Sequence, residues 1–374
     1  MHDPSPVSAG AAPRRTPLYA LHLELGAKMV DFAGWALPVH YPAGIMAEHR
    51  QCREAAALFD VSHMGQVLVH GDEAAEAIEA LVPGNVTGLG QDRLRYTVLT
   101  NEQGGVLDDL IVGRVKGGLA VVVNAACREA DLAHLRAALE PAYPVEELTD
   151  RALLALQGPA AAAVMARLAP PAAQLGFMQS AELGIAGHGC RIARSGYTGE
   201  DGFEISVAGE AAVPLARLLL DQPEVGPAGL GARDSLRLEA AFCLYGHELT
   251  PEISPIEAGL AWTIAKRRRE AGGFPGAETI LRQLREGPAR KLVGIRPDGR
   301  APAREHAEIQ DRAGRPIGFV TSGGFGPTVS GPIAMGYVAS AHAEPDTPLV
   351  LIVRDKPHPA HVVATPFVPH RYAR

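Results

Sequence analysis

The chain has 374 residues, enough for two or three domains around a large buried core. Hydrophobic residues make up 47% and charged residues 21%, the balance of an ordinary soluble globular protein, and no apolar run reaches membrane-spanning length. A net charge of -7, from 35 Lys+Arg against 42 Asp+Glu, offers no basic field for nucleic acid.

From the N-terminus, Met1 to Gly10 lacks a hydrophobic core and does not read as a secretory signal. Residues 1–15 are expected to form a short disordered leader on a cytoplasmic protein, and a mitochondrial matrix location applies if the source is eukaryotic. Ala27 to Tyr41 mixes Gly, Pro and aromatic residues, as an irregular or β-hairpin segment does. Ile45 to Leu58 carries Ile45, His49, Cys52 and Ala56 at helical spacing and predicts a short helix. Gln66 to Val69 predicts a strand, and Asp72 is placed to cap a helix with Ala75, Ile78 and Val82 on its buried stripe. Strands follow at Arg95 to Thr100, Val106 to Val115 and Leu119 to Asn124, then a helix from Arg128 to Leu139. The order β-α-β-β-β-α implies an antiparallel sheet with helices on one side.

A similar order recurs. Ala152 to Leu156 predicts a strand, and Pro159 suits the first position of a helix reaching Leu168. Leu183 to Ala186 and Cys190 to Arg194 bracket a turn at Gly187-His188-Gly189. Phe203 to Val207 predicts a strand, Ala211 to Leu220 a helix, and Leu230 to Ala241 another whose stripe of Leu230, Asp234, Arg237 and Ala241 is partly charged. Past a Gly- and Arg-rich segment near Arg268 to Pro275, short strands are expected at Lys291 to Ile295, Ile317 to Thr321, Ile333 to Val338, Leu349 to Val353 and His361 to Ala364. Their spacing suggests a small β-barrel or sandwich, with a boundary near residue 285. The fold class is α+β: two antiparallel sheet-plus-helix lobes of ferredoxin-like type and a C-terminal small β-barrel.

Chemistry concentrates in Asn101-Glu102-Gln103-Gly104-Gly105-Val106-Leu107-Asp108-Asp109-Leu110-Ile111-Val112. Gly104-Gly105 reads as a turn, and the strand after it places Asp109 on one face and Asp108 on the other. Each carboxylate sits among aliphatic neighbours, where an ionised acid is costly unless it is paired or keeps its proton. On spacing alone, a turn-flanking pair that reaches solvent is the better reading. Likewise Glu204, on a strand beside Ser206, reads first as part of a solvated face, and Arg233 as a helical ion-pair partner.

Other signatures fail. Cys52, Cys127, Cys190 and Cys243 lie far apart, which argues for free thiols in a reducing compartment and against a zinc site. His247, His358 and His361 lack metal-ligand spacing. Gly323 to Pro327 opens no helix, so it is no dinucleotide loop, and there is neither a Gly-Lys phosphate loop nor a hydrolase nucleophile elbow. No metal is expected.

Several segments in order resemble the aminomethyltransferase, or T-protein, family of the glycine cleavage system. They are Arg15-Thr16-Pro17-Leu18-Tyr19, Asp31-Phe32-Ala33-Gly34-Trp35, Leu58-Phe59-Asp60-Val61-Ser62-His63-Met64, the Gly-Gly/Asp-Asp stretch, Gly196-Tyr197-Thr198-Gly199-Glu200-Asp201-Gly202-Phe203-Glu204, Gly231 to Glu239, Thr321-Ser322-Gly323 and Pro366-Phe367-Val368-Pro369. They span nearly the whole chain from about Thr16. The resemblance implies a three-lobed cloverleaf, with a folate-binding domain of two intertwined lobes over 16–284 and a barrel domain over 285–374. It implies that tetrahydrofolate is the acceptor, that a lipoylated H-protein is the carrier partner, and that the chain acts as a monomer without nucleic acid or membrane.

By the same resemblance Asp109 is the catalytic acid. Glu204 and Arg233 hold the folate, Tyr372 reaches it from the C-terminus, and Met64, Tyr96, Asn124, Tyr197 and Trp262 line its slot. A pterin offers an amino group beside a ring N–H, a donor pair that a carboxylate accepts in bidentate fashion, and a guanidinium fork suits the polar edge. The run Lys266-Arg267-Arg268-Arg269 reads as a solvated face or a docking patch for an acidic carrier. A folate-dependent demethylase on the same scaffold is the rival enzyme. A non-catalytic folate-binding accessory protein is the other rival, and that branch carries a Lys-Gly-Cys motif absent from this chain. Gly326 departs from the family, where a serine often stands.

Overall fold

The structure, a computed structural model, describes residues 12–373. Residues 1–11 of the expected leader lie outside the described residues, and its end is ordered, since Arg14–Arg15 pair in parallel with Trp35 and Ala36. Trp35–His40 returns antiparallel to Lys28–Phe32, so the mixed Ala27 to Tyr41 segment is a hairpin. Its turn uses Ala33 and Gly34, both at positive φ.

The first lobe is a five-stranded antiparallel sheet in the order Leu94–Thr100, Val106–Val115, Gly118–Val123, Gly65–His70, Val145–Glu147. Leu110, Val112, Val67 and Val69 bury one face against helices Ala74–Glu79 and Arg128–Leu139, through Ile78, Leu132 and Leu135. Strand alternation therefore turns Asp108 towards the helices and Asp109, with Ile111, towards the other face. The first of these helices is not capped by Asp72: Glu73 holds the cap position with no side-chain hydrogen bond, and the helix ends before Val82, which is buried all the same.

The second lobe is a six-stranded sheet in the order Ser180–Ile185, His188–Ala193, Gly202–Ala208, Arg151–Gln157, Ala56–Asp60, Val225–Pro227. Only its last pair is parallel. Ala161–Leu168 and Gly209–Leu220 cover one face; Pro159 precedes the former helix without belonging to it. The Ile45 to Leu58 helix is corrected here. The helix is Ile45–Glu54, Ala55 leaves helical geometry, and Ala56–Asp60 is a fully buried strand. A strand buried on both faces has no alternation, so a short run gives no sign of its type. This strand precedes the first lobe in sequence and sits inside the sheet of the second, which interlocks the two.

The barrel closes with six strands: Arg290–Pro297, Gly331–Ala339, Pro316–Gly326, Glu308–Gln310, Pro348–Val353 and Lys356–Val363. The additional strand, Glu308–Gln310, is three residues long and too short to show a period. Between the lobes and the barrel, the Gly- and Arg-rich segment forms helices Lys266–Ala271 and Ala277–Glu286. Its basic run is solvated in part: Lys266, Arg267 and Arg269 are exposed, and Arg268 is not. Arg268 is buried with Nη1 3.0 Å from Glu79, Arg267 also pairs with Glu79, and Arg269 donates to the carbonyls of Ile264 and Ala261. Leu230–Glu239 ends before Ala241, and its charged stripe faces the barrel: Arg237 binds Glu248 at 2.9 Å and Ser322 at 2.8 Å.

Candidate active site

The Gly-Gly turn positions the acid pair. Gly104 takes a φ of +91°, and Asn101 Oδ1 receives the N–H groups of Gln103 and Gly105. Behind the turn the backbone is pressed against a neighbouring loop, because a Cβ on Gly105 would fall 1.7 Å from the Pro251 carbonyl oxygen. From there Asp108 goes into the sheet–helix layer with no exposed surface, while Asp109 remains partly exposed on the opposite face.

Asn124, at the end of the neighbouring strand, bridges the two acids. Its backbone N–H donates to Asp108 Oδ2 at 3.0 Å, and its Nδ2 lies 2.9 Å from Asp108 Oδ1, 3.0 Å from the Asp109 carbonyl and 2.8 Å from Asp109 Oδ1. Tyr96, paired across from Ile111, hydrogen-bonds the Asp109 carboxyl. Trp262 stacks on Tyr96 with centroids 5.4 Å apart and is 64% exposed, so it forms the outer wall. Burial and then the charge of Asp108 push the Asp109 carboxyl up to about 7, against the opposing hydrogen bonds of Tyr96 and Asn124. Near neutral pH this group can either accept or release a proton.

On the face that carries Asp109, Ile111 lines an open cleft whose other side is the second sheet, with Ser195, Glu204 and Ser206. Glu204 is held by the Ser195 hydroxyl at 2.7 Å. Arg233 lies over the Tyr197 ring at 4.7 Å, with Nη2 4.0 Å from the Met64 sulfur, and its buried Nη1 has no hydrogen-bond partner. Burial lowers its pKa against the opposing charges of Glu204 and Tyr197. Arg233 thus presents a buried guanidinium N–H with no acceptor among the described residues. Beside it His63 is buried with Nδ1 unpartnered, and burial and the charge of Arg233 lower it to about 4, so it is neutral at pH 7.

Tyr372 joins from the C-terminal tail. It stacks on Phe177 at 4.1 Å and 13°. From it an aromatic file runs through His370 and Phe242 to Tyr197, with centroid spacings of 5.3, 4.9 and 5.6 Å. Tyr197 donates its hydroxyl to the Cys243 carbonyl and feels the charge of Asp109.

Known proteins are similar to this chain over almost its whole length. The family described as GCVT N-terminal domain matches residues 18–268, and the glycine cleavage T-protein C-terminal barrel domain matches residues 290–369. The chain belongs to the glycine cleavage T-protein family. It is 45% identical over 371 residues to the mitochondrial aminomethyltransferase of Mesembryanthemum crystallinum, covering 96% of this chain and 90% of that one. It is 46% identical over 375 residues to that of Gallus gallus, covering 98% and 95%. The crystal structure of aminomethyltransferase T of the glycine cleavage system from Bartonella henselae superposes with a TM-score of 0.92 at 44% identity, covering 96% and 99%. This T-protein family member is thus an enzyme, an aminomethyltransferase of the glycine cleavage system.

The structure puts Asp109, Asn124, Tyr96 and Trp262 side by side. Arg233, Tyr197 and Met64 form a second group, which Tyr372 reaches through His370 and Phe242, and Glu204 hydrogen-bonds Ser195. Ser195, Phe177, Phe242 and His370 were missed, because nothing in their spacing marks them. The motifs also contain residues that hold the fold. In the Tyr197 to Glu204 segment Thr198 binds Gln157, Glu200 binds Arg53 and Asp201 binds Arg194. Asp60 ties the N-terminus to the site by accepting from Thr16 at 2.6 Å, His22 at 2.8 Å and the Ser62 N–H at 2.9 Å. Among the described residues no helix is long and apolar enough to cross a membrane.

Proposed function

We propose that the chain moves the methylene carbon of an aminomethyl group from the lipoyl sulfur of an H-protein to tetrahydrofolate. The products are 5,10-methylenetetrahydrofolate, ammonia and the dihydrolipoyl carrier. The observation that carries this reading is Asp109, a carboxyl poised near neutrality on the sheet face whose Ile111 lines the cleft bearing Glu204, together with the buried, unpartnered edge of Arg233.

Those groups fit a reduced pterin. Glu204 accepts its paired amino and ring N–H donors, and Arg233 donates to its carbonyl edge. Tyr372 and Phe177 present flat faces to the rest of the folate, while Met64, Tyr197, Tyr96 and Trp262 supply apolar walls. Two C–N bonds form, from N5 and N10 to the methylene carbon, and its bonds to nitrogen and sulfur break. Each folate nitrogen loses one proton; one proton completes ammonia and the other the thiol. Asp109 as carboxylate takes a proton from the attacking amine, passes it to the leaving nitrogen, and stabilises the cationic iminium electrostatically. The enzyme is read as a monomer acting in the cytoplasm, or in the mitochondrial matrix of a eukaryote.

The test supplies purified protein with tetrahydrofolate and an aminomethylated lipoyl carrier. Folate-dependent ammonia release is expected. Methyl transfer from another donor without ammonia points instead to a demethylase and removes the proposal.

A further inference from the structure

Beneath the site lies a second pair of acids that the reaction does not touch. Asp131, on the first turn of helix Arg128–Leu139, and Asp108 are 3% and 0% exposed. Their carboxylate oxygens and the Cys127 sulfur all lie within 4.8 Å of one another. Asp131 Oδ2 is buried without a hydrogen-bond donor among the described residues. Two ionised carboxylates in such a place, with no cation, would repel strongly.

We propose that Asp131 is a positioning residue for the acid at 109: it keeps its proton, donates it to Asp108, and so fixes the Asp108–Asn124 clamp that aims Asn124 Nδ2 at Asp109. This rests on the role given above to Asp109.

The surroundings leave a shared proton as the balancing charge. From the strand, Asp108 faces Asp131, and the charge of Asp109 reaches it from the other face of the sheet; both are acids. From its own helix, Arg128 turns away to Glu147 at 2.6 Å, and His134, one turn on, keeps its Nε2 unpartnered. At the N-cap of that same helix, Cys127 is a thiol that burial pushes further up. Tyr245, from the segment after Leu230–Glu239, is likewise raised by burial and stays neutral. Burial and the hydrogen bond to Asp108 push Asp131 up to about 10, so its proton persists across the working range. Asp108 is then the anion of the pair. Its Oδ1 and Oδ2 take the Asn124 N–H groups at 2.9 and 3.0 Å, and the Asp131 proton draws off part of its charge. That charge is one of the two main causes raising Asp109. An acid pair below the sheet thereby sets the proton affinity of the acid above it.

Two substitutions separate a neutral donor from an anion. Asp131→Asn keeps a donor for Asp108 and adds no charge. Its kcat is expected within about threefold of wild type, and the acid limb of its pH–rate profile within about 0.3 unit. Asp131→Leu removes the donor. The acid limb is then expected to move up by at least about half a unit and kcat to fall about tenfold, with KM for tetrahydrofolate unchanged within about threefold. A downward move of the limb by about one unit in Asp131→Asn would mean that Asp131 is ionised, and wild-type behaviour of Asp131→Leu would mean that it positions nothing; either overturns the proposal.

An infrared measurement on Asp109→Asn at pH 8.5 needs no activity. The carbonyl stretch of a protonated carboxylic acid is expected there and is expected to vanish in Asp109→Asn/Asp131→Asn. Its absence from the single variant, or one tightly held divalent cation per chain by elemental analysis, also overturns the proposal. If the band is present but Asp109→Asn turns over normally, the catalytic reading fails while the acid pair stands.

Discussion

At Asp109 the arrangement makes a prediction about sign. Its carboxyl is raised towards 7, so below that pH it holds a proton and cannot accept one. Turnover of the wild type is expected to fall as pH drops through about 7. Asp109→Asn is expected to lose at least about a hundredfold in kcat at pH 8 and to lose the acid limb, with tetrahydrofolate affinity within about threefold. Steady-state ammonia release across pH 5.5–9, beside folate titration by calorimetry, checks both. Linkage adds an independent readout. An acid raised on folding destabilises the native state progressively between its unfolded pKa, about 4, and its folded one, about 7. Asp109→Asn removes that cost and is expected to be more stable than wild type at pH 8 by on the order of 2 kcal/mol. At Arg233 the free Nη1 is the test. Arg233→Lys keeps the charge but loses the planar fork, and tetrahydrofolate is expected to bind about tenfold more weakly with kcat little changed at saturation.

Among the elements, the hairpin that carries the acids depends on close backbone approach as much as on side chains. Gly105 faces the Pro251 carbonyl, and a Cβ on Gly276 would stand 2.3 Å from the Gly104 Cα. Gly105→Ala is expected to cost at least about 3 kcal/mol in denaturant unfolding and to reduce turnover, whereas Gly299→Ala, with nothing within 4 Å, is expected to be near neutral. The Gly-Gly turn and the facing of Asp108 and Asp109 were legible because a turn residue and a period of two suffice to fix them. Arg128–Leu139 was legible to the residue for the same kind of reason, its leucines marking one face. Ala56–Asp60 was not, since a strand buried on both sides carries no period. Arg268 looked like part of a solvated face because Glu79, its buried partner, is nearly 190 residues away in sequence. The catalytic reading of Asp109 came from resemblance; spacing alone favoured an idle pair at a strand end, and the bond to Asn124 is visible only in the fold.

For the whole molecule, the barrel is joined to the lobes by buried charge, and Glu239 is the knot. It ends the helix Leu230–Glu239, receives Arg53 at 3.0 Å and His49 at 3.1 Å from the helix Ile45–Glu54, and accepts the Thr328 N–H at 2.7 Å from a barrel hairpin. Arg53 continues to Glu200 at 2.8 Å, which also takes Arg371 of the C-terminal tail at 3.3 Å. Gly326 belongs to this joint: a Cβ there would stand 3.0 Å from Glu239 Oε1, so the residue that departs from the family pattern leaves room for the acid. Burial by itself would raise Glu239, but the hydrogen bonds of His49 and Thr328 and the charges of His49 and Arg53 hold it down to about 2. A depressed acid contributes its stability above the unfolded pKa, about 4.3, and loses it as pH falls towards the folded value. Glu239→Gln is therefore expected to lose about 3 kcal/mol at pH 7, with the gap to wild type closing below about pH 4.5. Urea unfolding at pH 7, 5 and 3.5 measures that gap. A constant gap across the three would mean that the carboxylate's charge does not join the domains and that its shape alone does.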